Sequence, residues 1–229
     1  MNINNALGML CEKYSVDKAV TIVDDNTVVV DGVSSALLPW RAERRFIEFR
    51  NLVCGTYVKG ISTMRVCHID SKKKDLFDIL YREIDICENV LCSKVCEIFA
   101  IANDKALNVI AKTDKGYICT LELAATLAKD AEVIDKHEII AEKGVICDRA
   151  VDTQIPQNSI YVYGSNGKNA TYTDVDAELF GMSYEDCAKV RQAFDIAKNG
   201  LNLNEDAQHL EAVVAAAKKS VETLENIAV

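Results

Sequence analysis

The segment Asp75 to Leu91, DLFDILYREIDICENVL, sets the frame for the rest of the chain. Leu76, Leu80, Ile84, Cys87 and Leu91 recur every three or four residues, the spacing of one apolar helix face turned to a core. Asp75, Asp78, Arg82, Asp85 and Asn89 step in the same way along the opposite side, an acidic stripe with an arginine in its middle. On spacing alone this second stripe is a solvated face, where an Asp78/Arg82 pair four residues apart contributes about 0.3–0.5 kcal/mol.

Around this helix lies a chain of 229 residues, 49% apolar and 27% charged, enough for one large domain or two small ones. A net charge of -9 argues against nucleic acid and anionic membranes as general partners, since both select basic surfaces. No uncharged apolar run reaches the roughly 18 residues of a membrane span, and MNINNALGMLCEKY lacks the basic start and apolar core of a secretion signal, so a cytoplasmic protein is expected. Nine cysteines without a regular framework fit reduced thiols. The one close group, Cys87, Cys92 and Cys96, has C-x4-C-x3-C spacing with no second paired half. It reads as buried thiol, with metal binding the outside alternative, and no metal site is expected.

Residues 5–14 predict a short helix with Ala6, Met9, Leu10 and Tyr14 inward, followed by a hairpin, AVTIV and TVVVDG, around Asp24-Asp25-Asn26. After Pro39 and Trp40, the run RAERRFIEFRNLV places Phe46, Phe49 and Val53 on one face and Arg41, Arg44 and Arg45 opposite. Four of the eight arginines fall between Arg41 and Arg50, a concentration that suits an anionic ligand or acidic partner, or a solvated face pairing with Glu43 and Glu48. Lys72 to Lys74 precede the central helix and read as loop, because a helix N-terminus disfavours cations.

From Lys94 onward the chain alternates with period two: VCEIFAIA, LNVIAKT, YICTLELAAT, EVIDKHEIIAEK, GVICDRAV and SIYVYG. Short turns such as Asp114-Lys115-Gly116 join them, predicting a large, mostly antiparallel open sheet with helices on one face, an α+β fold. Gly164 to Lys168 invites comparison with a phosphate loop but lacks its glycine at Val162 and its hydroxyl at Asn169, so Asn166-Gly167 reads as a hairpin turn. Two helices close the chain. Ser183 and Asp186 start the first, which turns Val190, Phe194 and Ala197 inward and stops at Gly200; Asn204 caps the second, whose inward steps are Ala207, Leu210, Val214, Ala217, Val221 and Leu224. His68, His137 and His209 show no triad or metal pattern.

Five of these stretches resemble the glucose-fructose oxidoreductase and inositol dehydrogenase family (Gfo/Idh/MocA) over residues 40–225. Asp78 to Asp85, DILYREID, is similar to the family's D-x-x-x-H-D-I-D, with the aspartate kept and Arg82 in the histidine's place. Arg44-Arg45-Phe46 is similar to its R-R-F/Y segment, GTYVKGISTMRVCHI to its glycine-punctuated strand, Asp114 to Leu121 to a sheet strand, and AQHLEAVVAAAKKSV to its closing helix. The resemblance implies the family's C-terminal α+β domain at residues 40–229, with residues 1–39 as a remnant of a shortened dinucleotide-binding domain. It also implies a sheet face that makes a homodimer or higher homo-oligomer.

The family's histidine exchanges a proton with a substrate hydroxyl, which arginine cannot do because it stays protonated. The resemblance leaves Asp78 as the catalytic candidate, and Arg82, Asp85, Arg44 and Arg45 as substrate-binding candidates. No G-x-G occurs in the chain, and Pro39 and Pro156 follow Leu38 and Ile155, so neither the dinucleotide fingerprint nor the family's Lys-Pro pair is present. No cofactor site is recognisable, and NAD(P) enters only through a partner. Three functions follow as expectations: a reduced oxidoreductase relative that binds a sugar- or polyol-like, even anionic, ligand; a subunit that pairs with a full-length oxidoreductase; and an active oxidoreductase whose cofactor site a complex supplies.

Overall fold

The computed structural model describes residues 2–55, 58–72, 74–148, 159–164, 169–173 and 180–229. These form two compact units, one made of Met1–Ile47 and Asp174–His209, the other of Glu48–Thr173 and Leu210–Val229.

The first unit starts with α1 (Ile3–Lys13), capped by Asn2, whose side chain accepts from Asn4 N. Its buried residues are Leu7 and Cys11, four apart. Ala6 and Leu10 pack at the margin of the same core, whereas Met9 and Tyr14 are exposed, so the inward face is turned from the predicted one. β1 (Val20–Asp24) and β2 (Thr27–Val30) form the expected hairpin, and β3 (Val33–Ala36) extends it to three antiparallel strands. The second turn is Asp31-Gly32, with φ of 49° and 81°. Two successive left-handed residues match the twist of a tight hairpin, a signal the sequence carried in its Asp-Gly pair. A 3-10 turn (Pro39–Ala42) leads into α2 (Arg44–Cys54).

In the same unit, α4 (Tyr184–Asn199) runs from Ser183, which accepts from Asp186 N, to Gly200 in the left-handed region. It packs Val190, Ala193 and Ile196 against Leu7, Ile22, Val28 and Leu37. Asn204 begins α5 (Asn204–Thr223), but its side-chain oxygen accepts from Ala36 N at 2.8 Å, on β3, instead of from its own helix.

The second unit is a nine-stranded sheet in the order β11-β10-β9-β8-β4-β7-β6-β5-β12. Its strands are β4 (Ile61–Ser71), β5 (Val95–Ala102), β6 (Ala106–Thr113), β7 (Ile118–Leu127), β8 (Ile134–Ala141), β9 (Gly144–Cys147), β10 (Ser159–Gly164), β11 (Asn169–Thr173) and β12 (Ile227–Ala228). Every neighbouring pair is antiparallel except β4–β7. That parallel pair arises because the chain leaves β4 through a helix and returns by two hairpin strands before pairing with it. β10 and β11 pair as the predicted hairpin requires; the Asn166-Gly167 turn itself lies outside the described residues.

The connecting helix is α3 (Leu76–Leu91), capped by Asp75, whose carboxylate accepts from Phe77 N at 2.7 Å. Leu80, Ile84, Cys87 and Leu91 are buried as their spacing requires, but so are Ile79, Glu83, Asp85, Ile86, Glu88 and Val90. The helix is therefore enclosed along its C-terminal half, and the expected solvated stripe survives only near its start. Buried carboxylates need partners. Glu88 has them in Val95 N at 2.8 Å and Lys94 Nζ at 3.0 Å, which tie the helix to the start of β5. α5 buries Leu210, Val213, Ala217 and Ser220, a stripe one residue off the predicted Val214 and Val221 in its second half. Ser220 Oγ accepts from Ala100 N on β5.

Candidate functional site

Two regions of the second unit hold polar groups at α3, and the alternation of the strands explains the first. On β4, Met64, Val66 and His68 are buried on one face, and on β8 the register sets Asp135 opposite His68 and His137 opposite Val66. Asp148, just past β9, joins them: His137 N donates to its Oδ1 at 2.7 Å. α3 supplies Glu83, fully buried, and Arg82 beside it.

Glu83 is the hub. Its Oε2 accepts from His137 Nε2 at 2.7 Å, and its Oε1 accepts from His68 Nδ1 at 2.8 Å and from Arg82 Nη1. His137 Nδ1 donates to Asp148 Oδ2 at 2.6 Å, and Arg82 Nη2 donates to Asp135 Oδ2 at 3.0 Å. Burial pushes the Glu83 carboxyl up, but Arg82, His137 and the hydrogen bonds from both histidines outweigh it and hold the group well below the usual carboxylate range. Burial likewise pushes His137 down, while Asp148, Glu83 and Asp135 pull it up to about 10. At neutral pH His137 is an imidazolium donating from both nitrogens, a state in which it cannot serve as a base. His68 Nε2 is buried without a hydrogen-bond partner among the described residues, its nearest carboxylate being Asp70 at 3.6 Å.

Donor atoms of His68, Glu83 and Asp135 lie within 4.8 Å of one another, close enough to share a metal ion. Arg82 Nη1 already stands among them, 3.3 Å from His68 Nδ1 and 3.5 Å from Asp135 Oδ1. The cation at the centre of the cluster is thus the protein's own guanidinium.

The second region is open. A cavity of about 410 Å³ is lined by Asp75, Phe77, Asp78 and Tyr81 of the α3 start and by Glu211, Val214, Ala215 and Lys218 of α5. Asp78 is exposed there, and Lys218 Nζ lies 4.9 Å from the Phe77 ring centre. Three carboxylates, a phenol, an ammonium and an aromatic face converge on one small volume. Such a set can hydrogen-bond several hydroxyls and stack against C–H groups.

The structure divides the residues singled out from sequence. Asp78 lines the open cavity, Arg82 belongs to the enclosed cluster, and Asp85, one turn further, is fully buried. Arg44 and Arg45 belong to the other unit. Arg44 is exposed, and Arg45 is nearly buried, donating from Nε to Glu43 Oε2 at 2.8 Å with its guanidinium 4.4 Å above the Phe46 ring. His68 and His137, set aside in the sequence for want of a partner, turn out to share Glu83. The signal was faint but present: each histidine occupies the inward position of a period-two strand, where a polar residue needs a buried partner.

No protein-family model matches the chain, and no curated protein sequence does. Solved structures do match. Levoglucosan dehydrogenase in complex with NADH and levoglucosan has a TM-score of 0.67 at 12% identity, covering 84% of this chain and 65% of that one. An oxidoreductase domain protein from Kribbella flavida has a TM-score of 0.66 at 13% identity, covering 83% and 65%. Scyllo-inositol dehydrogenase from Lactobacillus casei, with NAD(H) and scyllo-inositol, has a TM-score of 0.60 at 16% identity, covering 83% and 63%. The chain spans a little under two thirds of the length of these proteins. The α+β fold expected from the sequence is therefore the fold found, and it is shared with these solved oxidoreductases and dehydrogenases. Among the described residues, no helix is long and apolar enough to cross a membrane.

Proposed function

We propose that this chain binds a sugar- or polyol-like ligand in the cavity at Asp78 and does not by itself transfer hydride. The observation that carries this reading is the lining of that cavity, where Asp75, Asp78, Glu211, Tyr81 and Lys218 offer hydroxyl-binding groups beside Phe77. It is supported by the fold, since matching structures hold levoglucosan, L-sorbose or scyllo-inositol. Hydride transfer needs a dinucleotide, and the sequence has no G-x-G to let a pyrophosphate approach the backbone. Asp78 is the residue to accept a ligand hydroxyl proton or hydrogen bond. Arg82 instead neutralises Glu83 and Asp135. Calorimetric titration with scyllo-inositol, levoglucosan and L-sorbose tests the reading: saturable binding to at least one, weakened in Asp78→Asn, supports it, and no binding to any of the three overturns it.

A second reading concerns assembly and rests on the sheet face. Ile101, Ile110 and Ile118, on the adjacent strands β5, β6 and β7, are 52%, 50% and 36% exposed. We propose that this face pairs two copies of the chain, or one copy with a full-length oxidoreductase that supplies NAD(P), in a cytoplasmic assembly. An apolar stripe across three strands is the kind of surface an isologous contact covers.

A further inference from the structure

A pair of thiols at the C-terminal ends of two helices takes no part in either region of α3 described above. Cys54 is the last residue of α2 and Cys92 caps α3, and their Sγ atoms are 2.7 Å apart. Non-bonded heavy atoms rest at roughly 3.5–4 Å, so the two sulfurs are already inside ordinary contact distance. One turn back along both helices, Arg50 Nη1 donates to Asn89 Oδ1 at 2.8 Å and holds the two ends together. Cys54 is exposed and Cys92 half-buried, so a small reagent reaches the pair from solvent. Cys92 also adopts the left-handed conformation, φ 50° and ψ 45°. Glycine or asparagine takes that position at lower cost, and the backbone gives no reason for a cysteine there.

We propose that Cys54 and Cys92 form a reversible intramolecular disulfide by exchange with a small-molecule disulfide of the glutathione class. The Cys54 thiolate, the more exposed of the two, attacks one sulfur of the oxidised reagent, and the other leaves as a thiolate with the electron pair of the broken S–S bond. The Cys92 thiolate then attacks Cys54 Sγ and expels the second reagent thiolate. The two protons of the protein thiols end on the two released thiols, and the protein gives up two electrons to the reagent. Burial first, and contact with Cys92 second, hold the Cys54 thiol above its ordinary value, with the Arg50 guanidinium acting the other way, so the first attack is slow at neutral pH. The bond closes a loop containing β4 and the whole of α3. Cys87 and Cys119 are the internal contrast: they also touch, but both are fully buried and closed to reagent.

The experiment compares the chain after oxidised glutathione with the chain after dithiothreitol, by intact mass, peptide mapping and thermal unfolding, alongside Cys54→Ser and Cys92→Ser. The expected result is a loss of two hydrogens, a single Cys54–Cys92 cross-linked peptide, and a Tm higher by about 5 °C or more. Dithiothreitol reverses all three, and neither serine variant shows the Tm shift. Unchanged thiols, a glutathione adduct that persists on Cys54 or Cys92, or an equal yield of cross-links to exposed Cys96 would each overturn the proposal.

Discussion

The start and the middle of α3 carry similar residues in opposite settings. Near its start Asp78 faces a cavity that admits solvent, whereas little more than a turn further Glu83 is sealed beneath the helix with two histidines and an arginine. The open carboxylate is available to a ligand. The sealed one has its hydrogen-bonding capacity consumed by the protein, so its contribution is to the fold. Charge and spacing are thus a poor guide to role along this helix, and enclosure is the better one.

The largest expected effect comes from breaking the sealed cluster around Glu83. Glu83→Ala leaves His137, Arg82 and His68 facing a void, and loss of one partner from a buried ionic network costs about 3–5 kcal/mol, measurable by urea unfolding. Asp78→Asn, on the exposed surface, changes stability by no more than about 0.5 kcal/mol in the same assay. Its effect falls on binding, where the polyol affinity drops about tenfold or more, about 1.4 kcal/mol.

Enclosure also sets a pH signature. His137 is raised from 6.5 to about 10 in the folded chain, so its stabilisation is complete below pH 6.5 and is lost as pH rises toward 10. Glu83 is lowered from 4.5, so its stabilisation is present above pH 4.5 and is lost as pH falls below it. The cluster therefore contributes most between about pH 4.5 and 6.5, and His137→Gln flattens the alkaline limb of a Tm-against-pH curve. The smallest change in fold stability is expected from Ile110→Glu, an exposed site on β6. On the proposed pairing through this face, light scattering of the variant finds fewer dimers than the parent chain, while the binding at Asp78 persists.

Much of the fold was legible in the sequence because period two and period 3.6 are local signals. The strands from Val95 to Gly164 and the helices at Asp75 and Ser183 stand where their patterns put them. The parallel β4–β7 pairing had no local mark, since it depends on which strand the chain returns to after β6. The face of α1 was misjudged because Met9 and Tyr14 are apolar enough to suit a core, yet Leu7 and Cys11 fill it. At the candidate site the sequence pointed to Asp78 but treated Asp78, Arg82 and Asp85 as one surface. Their separation into exposed, half-enclosed and buried depends on the strands that close over α3 from its middle onward. The partnership of His68 with His137 spans three elements, and no spacing within one element announces it.

The most direct test of this division of α3 is an amide chemical-shift map of the chain titrated with scyllo-inositol and levoglucosan. The account predicts saturable shifts clustered at residues 75–81 and 211–218, with His68, His137 and Asp148 unmoved. Shifts centred on His68, Glu83 and His137 instead, or no shifts with either ligand, would contradict it.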